Sequence, residues 1–117
     1  MTDDRPSSPG DAWPNRLRIG KAAGMSDALA ALEQTLIDRR ENRPEGSYSV
    51  TLFDDPELAQ RKIMEEAFEV CLELARPTID AERVASEAAD LVYHLLAGLA
   101  SVEVPLDAVY AELERRR

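Results

Sequence analysis

Two stretches of this chain, residues 56–75 and 80–101, repeat apolar side chains at the period of an α-helix and carry carboxylates at the same period. At about 100° per residue, Glu66, Glu69 and Glu73 fall within roughly 40° of Lys62 on the first stretch. Ile63, Ala67, Val70 and Leu74 form a separate apolar stripe centred near ~110°. On the second, Glu87, Asp90 and His94 fall within roughly 40° of Arg83, beside a stripe of Val84, Ala88, Leu91 and Leu95. Each carboxylate row is therefore expected beside a buried face. If the apolar stripes pack together, Glu66, Glu69, Glu87 and Asp90 meet at one groove, where converging anions repel unless a cation joins them. An all-oxygen donor set selects Mg²⁺ or Mn²⁺ over zinc. The competing reading is a solvated acidic face, the usual fate of such residues. Two features favour convergence: Glu65 and Glu66 are adjacent with Glu69 one turn on, and Asp90 sits among Ala88, Ala89, Leu91 and Val92, where full exposure is not expected.

The remaining segments also read as helix. Ser26 is a candidate N-cap for a helix carrying Leu29, Leu32 and Leu36, which fails near Asn42–Arg43–Pro44. Residues 44–55, PEGSYSVTLFDD, alternate Tyr48, Val50 and Leu52, but a lone strand has no partner, so an ordered loop is expected. Asp55–Pro56 is an N-cap followed by proline at the first helical position. The helix it opens stops before Arg76–Pro77, and the next runs from near Asp80 to about Ser101. Pro105 opens a short last helix whose dipole suits Arg115, Arg116 and Arg117. The fold class expected is all-α, a bundle of four to five helices. Residues 1–24 hold three of the seven prolines and no helical apolar repeat, so they read as a disordered leader before a domain spanning 25–117.

Charge and cysteine content narrow the function. With 14 Lys and Arg against 23 Asp and Glu, the net charge of −9 argues against a nucleic-acid partner. One cysteine and one histidine make neither an intramolecular disulfide nor a zinc site. No apolar signal region opens the chain, and Leu91 to Ala100 is about half a bilayer span, so a cytoplasmic, membrane-free protein is expected. Val92, Leu96 and Leu99 widen the apolar face of the second stretch, which predicts a homodimer burying that face.

The segments KIMEEAFEV (62–70) and EAADLVYHLL (87–96) resemble the phosphoribosyl-ATP pyrophosphohydrolases of histidine biosynthesis. These belong to the all-α nucleoside-triphosphate pyrophosphohydrolases, whose EExxE and ExxD motifs match Glu65–Glu66–Ala67–Phe68–Glu69 and Glu87–Ala88–Ala89–Asp90. GSYSVTLF (46–53) is similar to the loop before the motif helix, and VPLDAVYAELERR (104–116) to the last helix. The likeness spans about residues 26–117; Met64 stands where glycine is common, Ser49 replaces threonine, and residues 1–24 have no counterpart.

The resemblance implies a dimeric enzyme that cuts phosphoribosyl-ATP between its α and β phosphates. It implies Glu66, Glu69, Glu87 and Asp90 as Mg²⁺ ligands. Glu65 either orients the attacking water or faces solvent, and Lys62 either reaches phosphate or pairs with Glu65 or Glu66. His94 is expected in the core more than in the site, Tyr48 to pack more than to cover the ligand, and Cys71 to be a small buried side chain. A fused zinc-dependent cyclohydrolase is not expected, since the chain lacks the cysteines and histidines for it. The alternatives are a house-cleaning pyrophosphohydrolase of the same fold and a non-catalytic helical interaction module.

Overall fold

The computed structural model describes residues 22–117, with side chains from residue 28 onward. The described chain divides into two units between Ala31 and Leu32. In the first, the described residues are the opening turns of helix α1 (Ala22–Asn42). The second holds the rest of α1, then α2 (Tyr48–Asp54), α3 (Pro56–Leu74), α4 (Ala81–Ser101) and α5 (Leu106–Arg116). No strand occurs among the described residues, and the all-α expectation holds.

Helix α1 already includes residues 22–25, ahead of the N-cap expected at Ser26, and alanine favours helix there. The leader expected over residues 1–24 lies outside the described residues except for Ala22–Gly24, which are helical. At the other end Arg43 takes a left-handed φ of 51°, and its amide donates to the Arg39 carbonyl at 2.9 Å, closing the helix before Pro44.

The expected loop at 44–55 is corrected: its centre is the helix α2. Gly46, at a φ of 80° that a side chain rarely adopts, turns the chain, and the Ser47 amide donates to the Pro44 carbonyl at 3.2 Å. The buried pair is Ser49 and Leu52, spaced i, i+3, and not the alternating set Tyr48, Val50 and Leu52. Over seven residues both periods pass through Leu52, and the helical one wins because it buries that side chain to 1% exposure while the backbone bonds itself.

Helices α3 and α4 make the main packing interface, and α2 lies against both. Each starts as its sequence predicts. The Asp55 carboxylate accepts from the Leu58 amide at 3.2 Å, and Asp80 accepts from the amides of Glu82 and Arg83 at 3.1 and 3.3 Å. Gly98 lets α4 approach α3, because a Cβ there would lie 3.2 Å from Ile63 Cδ1.

Two long-range polar contacts fix the ends. Arg40 Nη1 donates to the Ala100 carbonyl at 2.6 Å, placing a cation at the C-terminal end of α4. Glu33 accepts from the Leu106 amide at 2.8 Å and so caps α5 from α1. The C-terminal arginines do not act on the helix dipole alone: Arg115 and Arg116 both pair with Glu112.

The core is small: Leu36, Leu52, Leu96, Ala97, Ala100 and Leu106 are its main apolar members. Leu96 is covered within the chain, while Val92 and Leu99 on the same face are half-buried. The exposed apolar line instead follows α3, through Met64, Phe68 and Leu72 at 64%, 62% and 51% exposure. No single helix among the described residues is long and apolar enough to cross a membrane.

Candidate active site

The expectation that the carboxylate row lies beside the buried face needs correction. Ala59, Glu66 and Glu73 are the buried residues of α3, seven positions apart. Glu66 and Glu73 of the acidic row therefore lie on the seam against α4, Glu69 stays exposed, and Ile63, Ala67 and Val70 are only half-buried. Burying carboxylates on a packing seam is costly unless each finds a counter-charge or a donor. The seam meets that requirement at one end only.

At the loop end, Glu73 is fully served. Its Oε1 accepts from Arg76 Nε at 2.9 Å, and its Oε2 accepts from Arg83 Nε and Nη2 at 3.2 and 3.0 Å. The Arg83 hydrogen bonds, aided by Arg76, hold the Glu73 acid below the usual glutamate value against the opposing effect of burial. This clamp ties the end of α3 to the first turn of α4.

One heptad back the acids are not served. Oxygens of Glu66, Glu69 and Glu87 lie within 4.8 Å of one another. Glu66 Oε1 and Glu87 Oε1 are buried with no hydrogen-bond partner. Contact with the neighbouring Glu69 carboxyl is the main cause raising the Glu87 acid; burial and the charges of Glu69, Asp90 and Glu66 push the same way. Two orphaned buried oxygens in an all-oxygen cluster are what a hard divalent cation satisfies, so the residues fit one.

The other expected site residues are distributed around this trio. Asp90 is exposed and outside the close group, although its charge reaches Glu87. Lys62 Nζ lies 3.2 Å from Glu65 Oε1 and 3.6 Å from Glu66 Oε2, so it forms the surface pairs read as the alternative to phosphate contact. Glu65 is about half exposed, with 48% of its side chain open to solvent. Cys71 is exposed and not buried as expected, because it lies about 180° from Lys62 on α3, away from the seam.

His94 is 8% exposed. Its Nδ1 lies 2.8 Å from the Asp90 carbonyl and its Nε2 2.8 Å from the Tyr48 hydroxyl. Tyr48 also stacks on Tyr93, with ring centroids 6.2 Å apart. Burial is the main cause raising the Tyr48 hydroxyl's pKa, and Lys62, Glu66 and Glu65 all act on it electrostatically. Tyr48 thus stands at the edge of the carboxylate cluster. Its pairing with His94 joins residues 46 positions apart, which no helical period could reveal.

An all-helical bundle whose central pair converges carboxylates around two unpaired oxygens belongs with the all-α nucleoside-triphosphate pyrophosphohydrolases. Within that class, the phosphoribosyl-ATP pyrophosphohydrolase family matches residues 29–117, and the chain belongs to it. It is 39% identical over 95 residues to a phosphoribosyl-ATP pyrophosphatase of Halobacterium salinarum, covering 80% of this chain and 100% of that protein. It is 41% identical over 92 residues to the phosphoribosyl-ATP pyrophosphatase of Caulobacter vibrioides, covering 79% of this chain and 84% of that one. A histidine biosynthesis bifunctional protein of Schizosaccharomyces pombe is 42% identical over 91 residues. That match takes in 78% of this chain and only 21% of the larger protein.

Proposed function

We propose that this chain hydrolyses phosphoribosyl-ATP to phosphoribosyl-AMP and pyrophosphate, a step of histidine biosynthesis, by cleaving the α–β phosphoanhydride with Mg²⁺. One observation supports this most: within the trio of Glu66, Glu69 and Glu87, two buried carboxylate oxygens have no partner in a chain of this family. Glu66, Glu69 and Glu87, with Asp90 one turn along α4, would hold Mg²⁺, or Mn²⁺ in its place. The ion, when bound, supplies positive charge to the triphosphate and lowers the pKa of water.

The chain's own residues supply the rest. Lys62 leaves its pair with Glu65 and binds a phosphate oxygen as a mobile point charge. That release frees Glu65, whose exposed carboxylate orients the attacking water and accepts its proton. Water adds at the α phosphorus, the bond to the bridging oxygen breaks, and pyrophosphate departs. We further propose a cytoplasmic homodimer, whose partner covers Met64, Phe68 and Leu72.

The test is pyrophosphate release from phosphoribosyl-ATP measured beside a panel of ordinary nucleoside triphosphates. Turnover confined to phosphoribosyl-ATP and dependent on a divalent ion is the expected result. Equal turnover of the ordinary triphosphates would replace this reading with a house-cleaning role, and no turnover of either would remove it.

A further inference from the structure

Resting on that reading, we propose that Tyr48, oriented by His94, recognises a sugar hydroxyl of the substrate and not a phosphate. The argument begins with His94. A backbone carbonyl has no proton to give, so at the 2.8 Å contact with the Asp90 oxygen, Nδ1 must be the donor. In the neutral ring, Nε2 then carries only a lone pair, and at 2.8 Å from it the Tyr48 hydroxyl must be the donor. A phenol has one proton. With that proton spent on His94, the Tyr48 oxygen can only accept from anything else.

The side chain is fixed there. His94 is buried, Tyr93 stacks against the Tyr48 ring, and α2 is anchored beneath by the fully buried Ser49 and Leu52. Tyr48 itself remains 47% exposed, within electrostatic reach of Lys62, Glu65 and Glu66. It is a fixed acceptor at the rim of the site.

An acceptor discriminates among the parts of a phosphorylated nucleotide. Phosphate oxygens near neutral pH are themselves acceptors and cannot bond to it. Sugar hydroxyls can donate, as can the exocyclic N–H of the base, and analogues lacking single hydroxyls tell the two apart. The site therefore divides: Lys62 is the donor for phosphate, and Tyr48 is the acceptor for a ribosyl hydroxyl. His94 is a positioning residue, because it acts through Tyr48.

The experiment compares the wild-type chain with Tyr48→Phe on phosphoribosyl-ATP and on analogues lacking one ribosyl hydroxyl each. Tyr48→Phe should raise KM about tenfold on the full substrate, the 1.4 kcal/mol equivalent of one net hydrogen bond. On the one analogue lacking the recognised hydroxyl it should cost nothing further. His94→Leu should reproduce that pattern, and His94→Gln, which returns an acceptor oxygen, should restore part of the discrimination. A Tyr48→Phe penalty equal on every analogue, or no penalty at all, overturns the proposal while normal wild-type turnover leaves the enzymatic reading intact. Wild-type protein that does not turn over phosphoribosyl-ATP overturns both.

Discussion

Replacing Glu66 by glutamine should make the protein more stable without metal and less stable with it. In the metal-free chain, Glu66 feels two like charges and one opposite one. A carboxylate oxygen at the 4.8 Å limit from Glu66, as for Glu69, repels it by about 3.5 kcal/mol at an effective dielectric constant of about 20. Lys62 at 3.6 Å attracts it by about 4.6 kcal/mol on the same scale, and outweighs that one neighbour. Glu87 adds repulsion of the same sign as Glu69 and tips the balance. Because Glu69 is exposed and Lys62 partly so, screening leaves a net gain on the order of 1 kcal/mol for Glu66→Gln. The new amide can also donate to either remaining carboxylate. For a domain of this size the gain corresponds to a rise in Tm of about 4 to 8 °C.

The order reverses with a divalent ion. At 100 times its dissociation constant, a bound ion stabilises the wild type by about 2.7 kcal/mol. The variant, lacking one of the two orphaned oxygens' charge, should show a much smaller shift. Thermal melts followed by circular dichroism, in chelator and in millimolar Mg²⁺ or Mn²⁺, read both effects. A variant that melts lower than wild type in chelator would show that Glu66 is a stabilising partner of Lys62 and not a strained ligand. A wild type whose Tm ignores both ions would refute the metal reading outright.

Leu52→Ala should cost about 2 to 5 kcal/mol in denaturant unfolding, because Leu52 is 1% exposed and anchors α2. Asp90→Asn should reduce turnover while leaving the metal-free Tm nearly unchanged, since Asp90 is exposed; parallel losses of both would make its role structural. The Glu73 clamp contributes stability in full above the unfolded glutamate pKa of about 4.3 and loses it as pH falls through the lower folded value. Glu73→Gln should therefore flatten the acid limb of a pH–stability profile, and an unchanged limb would count against the clamp. Glu87 has the opposite sign: its raised pKa favours the folded chain below the unfolded value, and that contribution disappears as pH rises through the folded one. Glu87→Gln should remove this loss in chelator. Phe68→Asp should shift the mass measured by light scattering from dimer to monomer, and an unchanged mass would place any self-association elsewhere.

The parts of the fold that local chemistry decides were readable from the sequence. Asp55–Pro56 and Asp80 start their helices because each carboxylate bonds amides within the next three residues. The helix α2 was not, since over seven residues an alternating pattern and an i, i+3 pattern share Leu52, and only the tertiary burial of Ser49 separates them. The Met64, Phe68 and Leu72 line is a third helical stripe that the sequence displays, but it recedes beside the conspicuous acidic row.

That row holds the limit of periodicity. Glu66 and Glu73 are seven residues apart on one buried seam and have the same helical phase, so spacing assigns them the same role. Their partners separate them. Arg76 and Arg83 approach Glu73 from the end of α3 and the start of α4, and with its charge met it acts as a clamp between the two helices. Glu66 has Lys62 beside one oxygen and nothing at the other. The acid left without a full complement of donors retains the capacity to bind something else. On this seam a heptad step separates structure from chemistry, and the difference lies in which arginines the α3–α4 connection delivers.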